Sequence, residues 1–133
     1  MANSIAPQSL EKIIVQGDAQ VLVTQAKDFG ETMQAAGLSK SQIRGVFGTV
    51  RQIHASWDNT ESKQNMRKVL LLKPRLAYQG SREPKVKPLA DVLSSAIDLV
   101  AADNDEQVQA KRFGYFVDLF EAILAYHTAA GGK

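Results

Sequence analysis

Hydrophobic side chains recur every three or four residues along almost the whole chain, the spacing that places them on one face of an α-helix. Alternating runs of β-branched residues between turn residues, which would indicate strands, are missing from the sequence. The pattern therefore predicts an all-α protein that folds as a single compact bundle of five to six helices. The predicted domain spans residues 1–133, with flexible tails at residues 1–8 and 129–133.

Two glycines and a serine–glutamine pair mark the ends of the first predicted helices. The hydrophobic stripes of the first two helices stop at Gly17 and Gly37, as glycine often follows the last turn of a helix. Ser39 and Gln42 have the spacing of a capping box, in which each side chain accepts a hydrogen bond from the other residue's backbone N–H. A third helix is therefore predicted from this point to about Trp57.

Prolines shape the second half of the chain. A fourth helix is predicted over about residues 60–79, and Pro74 within it lacks a backbone donor, so it should kink this helix or divide it into two pieces. The clearest loop covers residues 80–88, and Pro88 suits the first position of a fifth helix. A sixth helix is expected from about Asp105 to Thr128.

Length and composition fit one soluble domain. The 133 residues, of which 44% are hydrophobic, are enough for one buried core. The absence of cysteine excludes disulfides, thiolate metal sites and a cysteine nucleophile. The sequence also lacks a signal-peptide pattern and any apolar run of roughly 18 residues, so it predicts a cytoplasmic protein with no membrane partner.

Charge is strongly segregated along the chain. Residues 40–87 hold eleven of the sixteen Lys and Arg side chains against three carboxylates, a formal charge of +8. Residues 1–39 and 88–133 are acidic, with formal charges of −2 and −4. Such segregation raises the electrostatic potential over one surface and indicates a polyanionic partner, most simply a nucleic-acid backbone.

Helical spacing groups the candidate contacts within this basic stretch. Cations that repeat every seven residues, about two helical turns, share one face of a helix. The eight candidates are Arg44 and Arg51 on the third helix, Lys68, Arg75 and Arg82 on the fourth, and Lys73, Lys85 and Lys87, which are expected to extend that row into the loop. The alternative is a solvated basic face that binds no ligand.

The aromatic residues do not predict a reader of bases. Phe113, Phe116 and Phe120 lie at helical spacing in an acidic helix and are expected in the core. Trp57 and Tyr78 lie near the basic stretch, but a capping or core role is at least as well supported for both. No helix-turn-helix spacing is evident either. The expected contacts are therefore with phosphate or ribose, without sequence specificity.

The sequence gives little support for catalysis, a metal or a cofactor. His54 and His127 lie on different predicted helices, and neither belongs to a cluster with metal-ligand spacing. We expect both to be structural, although a small ribonuclease that assembles His54, His127 and a lysine stays as an alternative. Glu121 is expected to be partly buried and paired with a cation from the basic stretch.

Three strings of residues resemble the small subunit of the type III-A CRISPR (Csm) effector complex, and they occur in that family's order. They are Ser41-Gln-Ile-Arg44 with Phe47, Leu72-Lys-Pro-Arg-Leu-Ala-Tyr78 with Arg82, and Phe120-Glu-Ala-Ile-Leu-Ala-Tyr-His127 with Gly131-Gly-Lys133. The resemblance covers residues 39–133. Residues 1–38 match only in being helical and amphipathic.

The resemblance implies a non-catalytic helical protein in antiviral defence, several copies of which stack beside the filament that carries the guide RNA. Its implied partners are the backbones of guide and target RNA, the large and backbone subunits, and neighbouring copies of itself. Arg44, Lys73, Arg75 and Arg82 lie in or next to the matching strings and are the preferred contacts. The other four candidates are supported by face and charge alone. The acidic flanks are then expected to contact other subunits.

A different class of function stays open beside this one. The chain could be a helical protein-interaction adaptor whose basic face docks on an acidic protein. RNA would then be a nonspecific competitor, and nuclease digestion would leave the protein partners bound.

Overall fold

The computed structural model describes residues 3–131, which form six helices and no strand. They are α1 (Pro7–Ile14), α2 (Ala19–Ala35), α3 (Lys40–Ala55), α4 (Ser62–Arg82), α5 (Lys87–Ala101) and α6 (Glu106–Ala129). The prediction of a compact all-α bundle of five to six helices is confirmed. No helix within these residues is long and apolar enough to cross a membrane.

Helix α6 is the centre of the bundle, because it packs against α1, α2, α3 and α5. Phe113, Phe116 and Phe120 of α6 are each at most 1% exposed, which confirms their predicted core role. Phe120 meets Phe47 of α3 edge to face, with ring centroids 4.9 Å apart. Trp57 stacks on Phe113 at 4.8 Å, so it supports the core where α3 ends. Helix α4 lies outside this centre, between α3 and α5.

The predicted ends of the first two helices and the predicted start of the third are confirmed. Gly17 and Gly37 have φ angles of +66° and +95°, a conformation that favours glycine. Backbone N–H of Ser39 donates to Gln42 Oε1 at 2.9 Å, and backbone N–H of Gln42 donates to Ser39 Oγ at 3.1 Å, which completes the capping box. Gln42 Nε2 also donates to Glu83 Oε1 at 3.2 Å, so the start of α3 is tied to the end of α4.

Helix α4 runs unbroken through Pro74, so the expected division into two pieces is wrong. Val69, Leu72 and Leu76 are at most 4% exposed and stay in phase on both sides of the proline. Burial of this continuous stripe favours one helix over two, at the cost of the hydrogen bond that Pro74 cannot donate. A bend of the helix axis at Pro74 stays a prediction.

The loop before α5 is shorter than predicted, because Gly80 belongs to α4 and is buried. A Cβ at Gly80 would lie 3.3 Å from Lys87 Cα, so the glycine permits close approach of α5 rather than a turn. Helix α5 therefore begins at Lys87, and Pro88 takes its second position instead of the predicted first.

At the chain ends, α1 begins at Pro7 and Ile5 is buried, so the helical part begins within the tail predicted over residues 1–8. Helix α6 reaches residue 129, the first of the other predicted tail. Residues 1–2 and 132–133, which belong to the predicted tails, lie outside the described residues.

Candidate nucleic-acid interface

A groove separates α3 from α4 on the basic side of the bundle, and we call it the α3–α4 groove. Its volume is about 420 Å³. Helix α3 contributes polar, uncharged side chains, and α4 contributes two cations and an exposed leucine. The lining residues are Thr49, Gln52 and Ile53 of α3, Ser56 directly after α3, and Lys68, Leu71, Leu72 and Arg75 of α4. The groove is open to solvent and can accept an extended ligand.

Lys68 and Arg75 point into this groove, where hydroxyl groups of α3 hold them. Lys68 Nζ donates to Ser56 Oγ at 3.4 Å, and Arg75 Nη1 donates to Thr49 Oγ1 at 3.0 Å. Within residues 3–131, no carboxylate oxygen lies within 4.0 Å of either cation. The hydroxyl partners orient both side chains without neutralising them, so their charge is available to an anion.

Arg82 continues the row one repeat further along α4. Its Nη1 donates to the Tyr78 hydroxyl at 2.8 Å, and its guanidinium carbon lies 5.6 Å from the Tyr78 ring centroid. At 1.5 Å per residue, the fourteen residues from Lys68 to Arg82 span about 21 Å along the helix. Because α4 is continuous, Lys68, Arg75 and Arg82 share one face of it, as the seven-residue spacing predicted, while their contact with RNA stays a prediction.

Two exposed hydrophobic residues, which were not among the predicted contacts, share this face of α4. Leu71 is 53% exposed and Tyr78 is 60% exposed. With the three cations they occupy positions i, i+3, i+7, i+10 and i+14, counted from Lys68, which form one helical stripe. This spacing is readable from the sequence and could have placed Leu71 and Tyr78 beside the cations. The core or capping role suggested for Tyr78 is wrong, because the side chain is exposed.

Lys73 and Lys87 do not extend this row, contrary to the prediction. Lys73 lies on the opposite flank of α4 and forms an ion pair with Asp98 of α5. Lys87 Nζ pairs with Asp91 at 3.0 Å, one turn further along α5. Two residues of helix rotate a side chain by about 200°, which places Lys73 and Arg75 on different sides. Both lysines are thus partly neutralised by neighbouring carboxylates.

Lys85 also lies outside the groove. Its side chain covers Gly37 at the end of α2, where a glycine Cβ would lie 3.0 Å from the Lys85 ammonium nitrogen. This position places a positive charge close to the carboxyl end of α2, where the helix dipole favours a cation. Lys85 therefore stabilises the end of α2 and is not part of the row on α4.

Arg44 and Arg51 form a second basic surface on the other side of α3. Arg51 lines a groove of about 410 Å³ between α3 and α6, together with His54 and Glu121. Arg44 lies two helical turns before Arg51, on the same face and exposed. Around the α3 axis, Arg51 and Ser56 differ by about 140°. Arg44 and Arg51 therefore share one face of α3, as predicted, but this face points away from the α3–α4 groove, and their contact with RNA stays a prediction.

The carboxylates of this second groove differ from expectation. Glu121 is exposed rather than partly buried, and no cation of residues 3–131 lies within 4.0 Å of it. Partial burial raises the pKa of the nearby Asp118 carboxyl, and the negative charge of Glu121 raises it further, while His54 acts in the opposite direction. The groove therefore carries mixed charge and suits an anion less well than the α3–α4 groove.

The two histidines do not come together. The His54 ring lies 6.1 Å from the ring of Phe113 on α6. His127 lies fourteen residues after Phe113 on the same helix, which places it about 21 Å from Phe113. His127 is fully buried, and its Nε2 forms a hydrogen bond of 2.5 Å with the Leu38 carbonyl oxygen. The proposed ribonuclease site of His54, His127 and a lysine is therefore excluded. Residues 3–131 also contain no cluster of side chains that could hold a metal ion.

The fold and the groove define a class of protein: a small all-α protein with a solvent-exposed groove lined by two cations. The family model described as Csm2 Type III-A matches residues 16–133. The chain therefore belongs to that family, the small subunits of the type III-A CRISPR effector complex. The match also includes residues 16–38, which the three strings did not cover. No curated protein and no solved structure was found to match the chain.

Proposed function

We propose that this structural subunit is non-catalytic and binds the backbones of guide and target RNA in antiviral defence, without sequence specificity. One observation carries the proposal: Lys68, Arg75 and Arg82 form a row about 21 Å long on α4, keep neutral partners, and begin in the α3–α4 groove that Lys68 and Arg75 line. Family membership supplies the setting, a multi-subunit ribonucleoprotein.

The physical reason is that base pairing between guide and target already supplies sequence recognition. A protein beside that duplex gains from phosphate contacts that are the same for every sequence. Lysine and arginine supply these contacts through charge, and the hydroxyl groups of Ser56 and Thr49 can add hydrogen bonds to phosphate or ribose oxygens. Recognition of backbone alone needs no stacking core and no catalytic group.

The eight predicted contacts then have unequal roles in the proposal. Lys68, Arg75 and Arg82 are the primary contacts, and Arg44 and Arg51 are a second surface for another strand or an acidic protein. Lys73, Lys85 and Lys87 contribute long-range attraction, because carboxylates or a helix end already hold them. The proposed protein partners are the large and backbone subunits and neighbouring copies, and the proposed location is the cytoplasm.

The test compares two double variants in cells that carry the complex. The groove variant, Lys68→Gln with Arg75→Gln, removes two charges from the α3–α4 groove. The paired-lysine variant, Lys73→Gln with Lys87→Gln, removes the same charge from the side of α4 that faces α5. Each tagged protein is purified, and co-eluting RNA and proteins are identified by sequencing and mass spectrometry.

The expected result is short guide RNA and the other Csm subunits with the wild type and with the paired-lysine variant. The groove variant should retain less RNA than the wild type when equal amounts of folded protein are recovered. Equal RNA retention by both variants would refute the assignment of the groove. Recovery of proteins without RNA from the wild type would refute RNA binding itself.

The exposed side chains of Leu71 and Tyr78 favour one other function, that of a protein-interaction adaptor. In that case an acidic protein would cover the stripe. Treatment of the purified complex with ribonuclease distinguishes the two functions, because an adaptor keeps its partners after the RNA is removed.

A further inference from the structure

Tyr78 occupies an unusual position for a large aromatic residue, in the middle of an exposed row of cations. It is the most exposed of the large hydrophobic residues in the described part of the chain, at 60%. A core or capping role would bury the ring, and neither is observed. Burial of this apolar surface, together with that of the neighbouring Leu71, by a ligand would be favourable.

The surroundings of the ring define the chemistry of that occupant. Arg82 holds the ring by its hydroxyl at 2.8 Å, and Arg75 lies one helical turn before it, on the same side of α4. Neither arginine has a carboxylate of residues 3–131 within 4.0 Å. Glu83 also lines the pocket beside Tyr78 and Arg82, and its Oε1 accepts a hydrogen bond from Gln42. A ligand with a flat apolar group between two anionic groups would complement the ring and the two arginines.

We propose that Tyr78 is a stacking platform for one unpaired RNA base, with Arg75 and Arg82 on the flanking phosphates. This inference rests on the proposed function, because it adds a base contact to the backbone contacts of the same stripe of α4. An RNA strand has the required alternation, since each base lies between two phosphates. Stacking on an aromatic side chain accepts any base, so it keeps the recognition independent of sequence. An acidic protein segment is the competing occupant, and the experiment must separate the two.

Tyrosine nitration of the intact complex gives that separation. The chain has three tyrosines, and Tyr115 and Tyr126 are partly buried, so they serve as internal controls in the same molecule. Purified complex is nitrated before and after ribonuclease treatment, and each tyrosine is quantified by mass spectrometry. We expect Tyr78 to be protected while RNA is present and to react several-fold faster after digestion.

The other outcomes overturn the proposal. Protection that persists after digestion would show that a protein covers Tyr78, and reactivity that is high throughout would show that nothing does. Complex that contains no RNA would refute the proposed function together with this inference. If RNA is present but Tyr78 reacts freely, only the stacking platform is refuted.

A second measurement separates a base from a phosphate as the protecting group. Complex whose RNA contains 4-thiouridine is irradiated, and the crosslinked peptides are identified. A crosslink between the thiobase and Tyr78 is expected in the wild type, and Tyr78→Ala should lose it while guide RNA stays bound. Crosslinks elsewhere on the chain, with none at Tyr78, would overturn the stacking assignment and leave the phosphate row standing. By alanine substitution, one stacked base accounts for about a 5- to 150-fold change in affinity for single-stranded RNA.

Discussion

The crossing of α2 and α6 gives the sharpest test of the fold, because one glycine allows it. A Cβ added at Gly30 would lie 2.8 Å from the Ile123 carbonyl oxygen and 3.1 Å from the His127 backbone nitrogen. Both are backbone atoms of the central helix, so neither can rotate away. Gly30→Ala therefore forces the two helices apart, in contrast to Gly45→Ala on α3, where no atom lies within 4 Å of the added Cβ.

The expected free energies have opposite signs. Alanine in place of glycine inside a helix stabilises by about 0.5–1 kcal/mol. Overpacking at a tight contact costs about 1–3 kcal/mol, and a clash with backbone atoms belongs in the upper half of that range, so after the gain in helix propensity Gly30→Ala should still destabilise by about 1–2 kcal/mol. An unfolding entropy of about 2.1 cal/mol/K per residue over 133 residues makes 1 kcal/mol equal to about 4 °C in Tm. Gly30→Ala should lower Tm by about 4–7 °C, and Gly45→Ala should raise it by about 2–4 °C.

The assay is thermal unfolding of the purified variants by far-UV circular dichroism, at one protein concentration. Gly45→Ala is the matched control, since the same substitution is made in the interior of another helix. If Gly30→Ala raised Tm as Gly45→Ala does, the close approach of α2 to α6 would be wrong. A loss of Tm in both variants would refute the reasoning from helix propensity instead.

Three further predictions concern charge, capping and pH. Target-RNA binding by the purified complex is measured at several salt concentrations. The groove variant should reduce the slope of log affinity against log salt by about 1.4 per copy, because each of two lost phosphate contacts accounts for about 0.7. A similar reduction in the paired-lysine variant would contradict this prediction. Ser39→Ala should lower Tm by about 4 °C, through loss of about 1 kcal/mol from the capping box, while Ser41→Ala should not. Asp118→Asn should raise Tm at neutral pH, with the gain disappearing toward acidic pH. Folding raises the pKa of Asp118, so ionisation of this carboxyl at higher pH costs the folded state stability, and asparagine removes that cost. At acidic pH the carboxyl is neutral in both the folded and the unfolded protein, so the substitution then gives no gain. A gain independent of pH, from melts across the acidic to neutral range, would contradict the last.

The row of cations lies on an outer helix, away from the hydrophobic core. Lys68, Arg75 and Arg82 stand on an outer helix that packs mainly against α3 and α5, while the core is centred on α6. Substitutions on this face should alter RNA contacts with little effect on stability, because none of the three side chains is buried. The interface and the core can therefore be tested separately.

The sequence alone determined the features that depend on local spacing. Helix content, the capping box at Ser39, the buried phenylalanines of α6 and the segregated charge all follow from residues close together in the chain. The seven-residue row of Lys68, Arg75 and Arg82 belongs with them, since the periodicity of one helix defines it. Family membership was also readable, because the strings that carry it are short and contiguous.

Only the tertiary structure decided which cations share a surface and which remain free. Lys73 and Arg75 are two residues apart, yet Lys73 meets Asp98 of α5, twenty-five residues away, while Arg75 meets a hydroxyl of α3. Local spacing gives the direction of a side chain from its own helix but not the neighbour that it meets. The continuity of α4 through Pro74 was likewise decided by burial of its hydrophobic stripe, which depends on the packed bundle rather than on the proline. Charge compensation between distant residues requires the path of the whole chain, and for this reason the free cations of the groove could not be identified from the sequence.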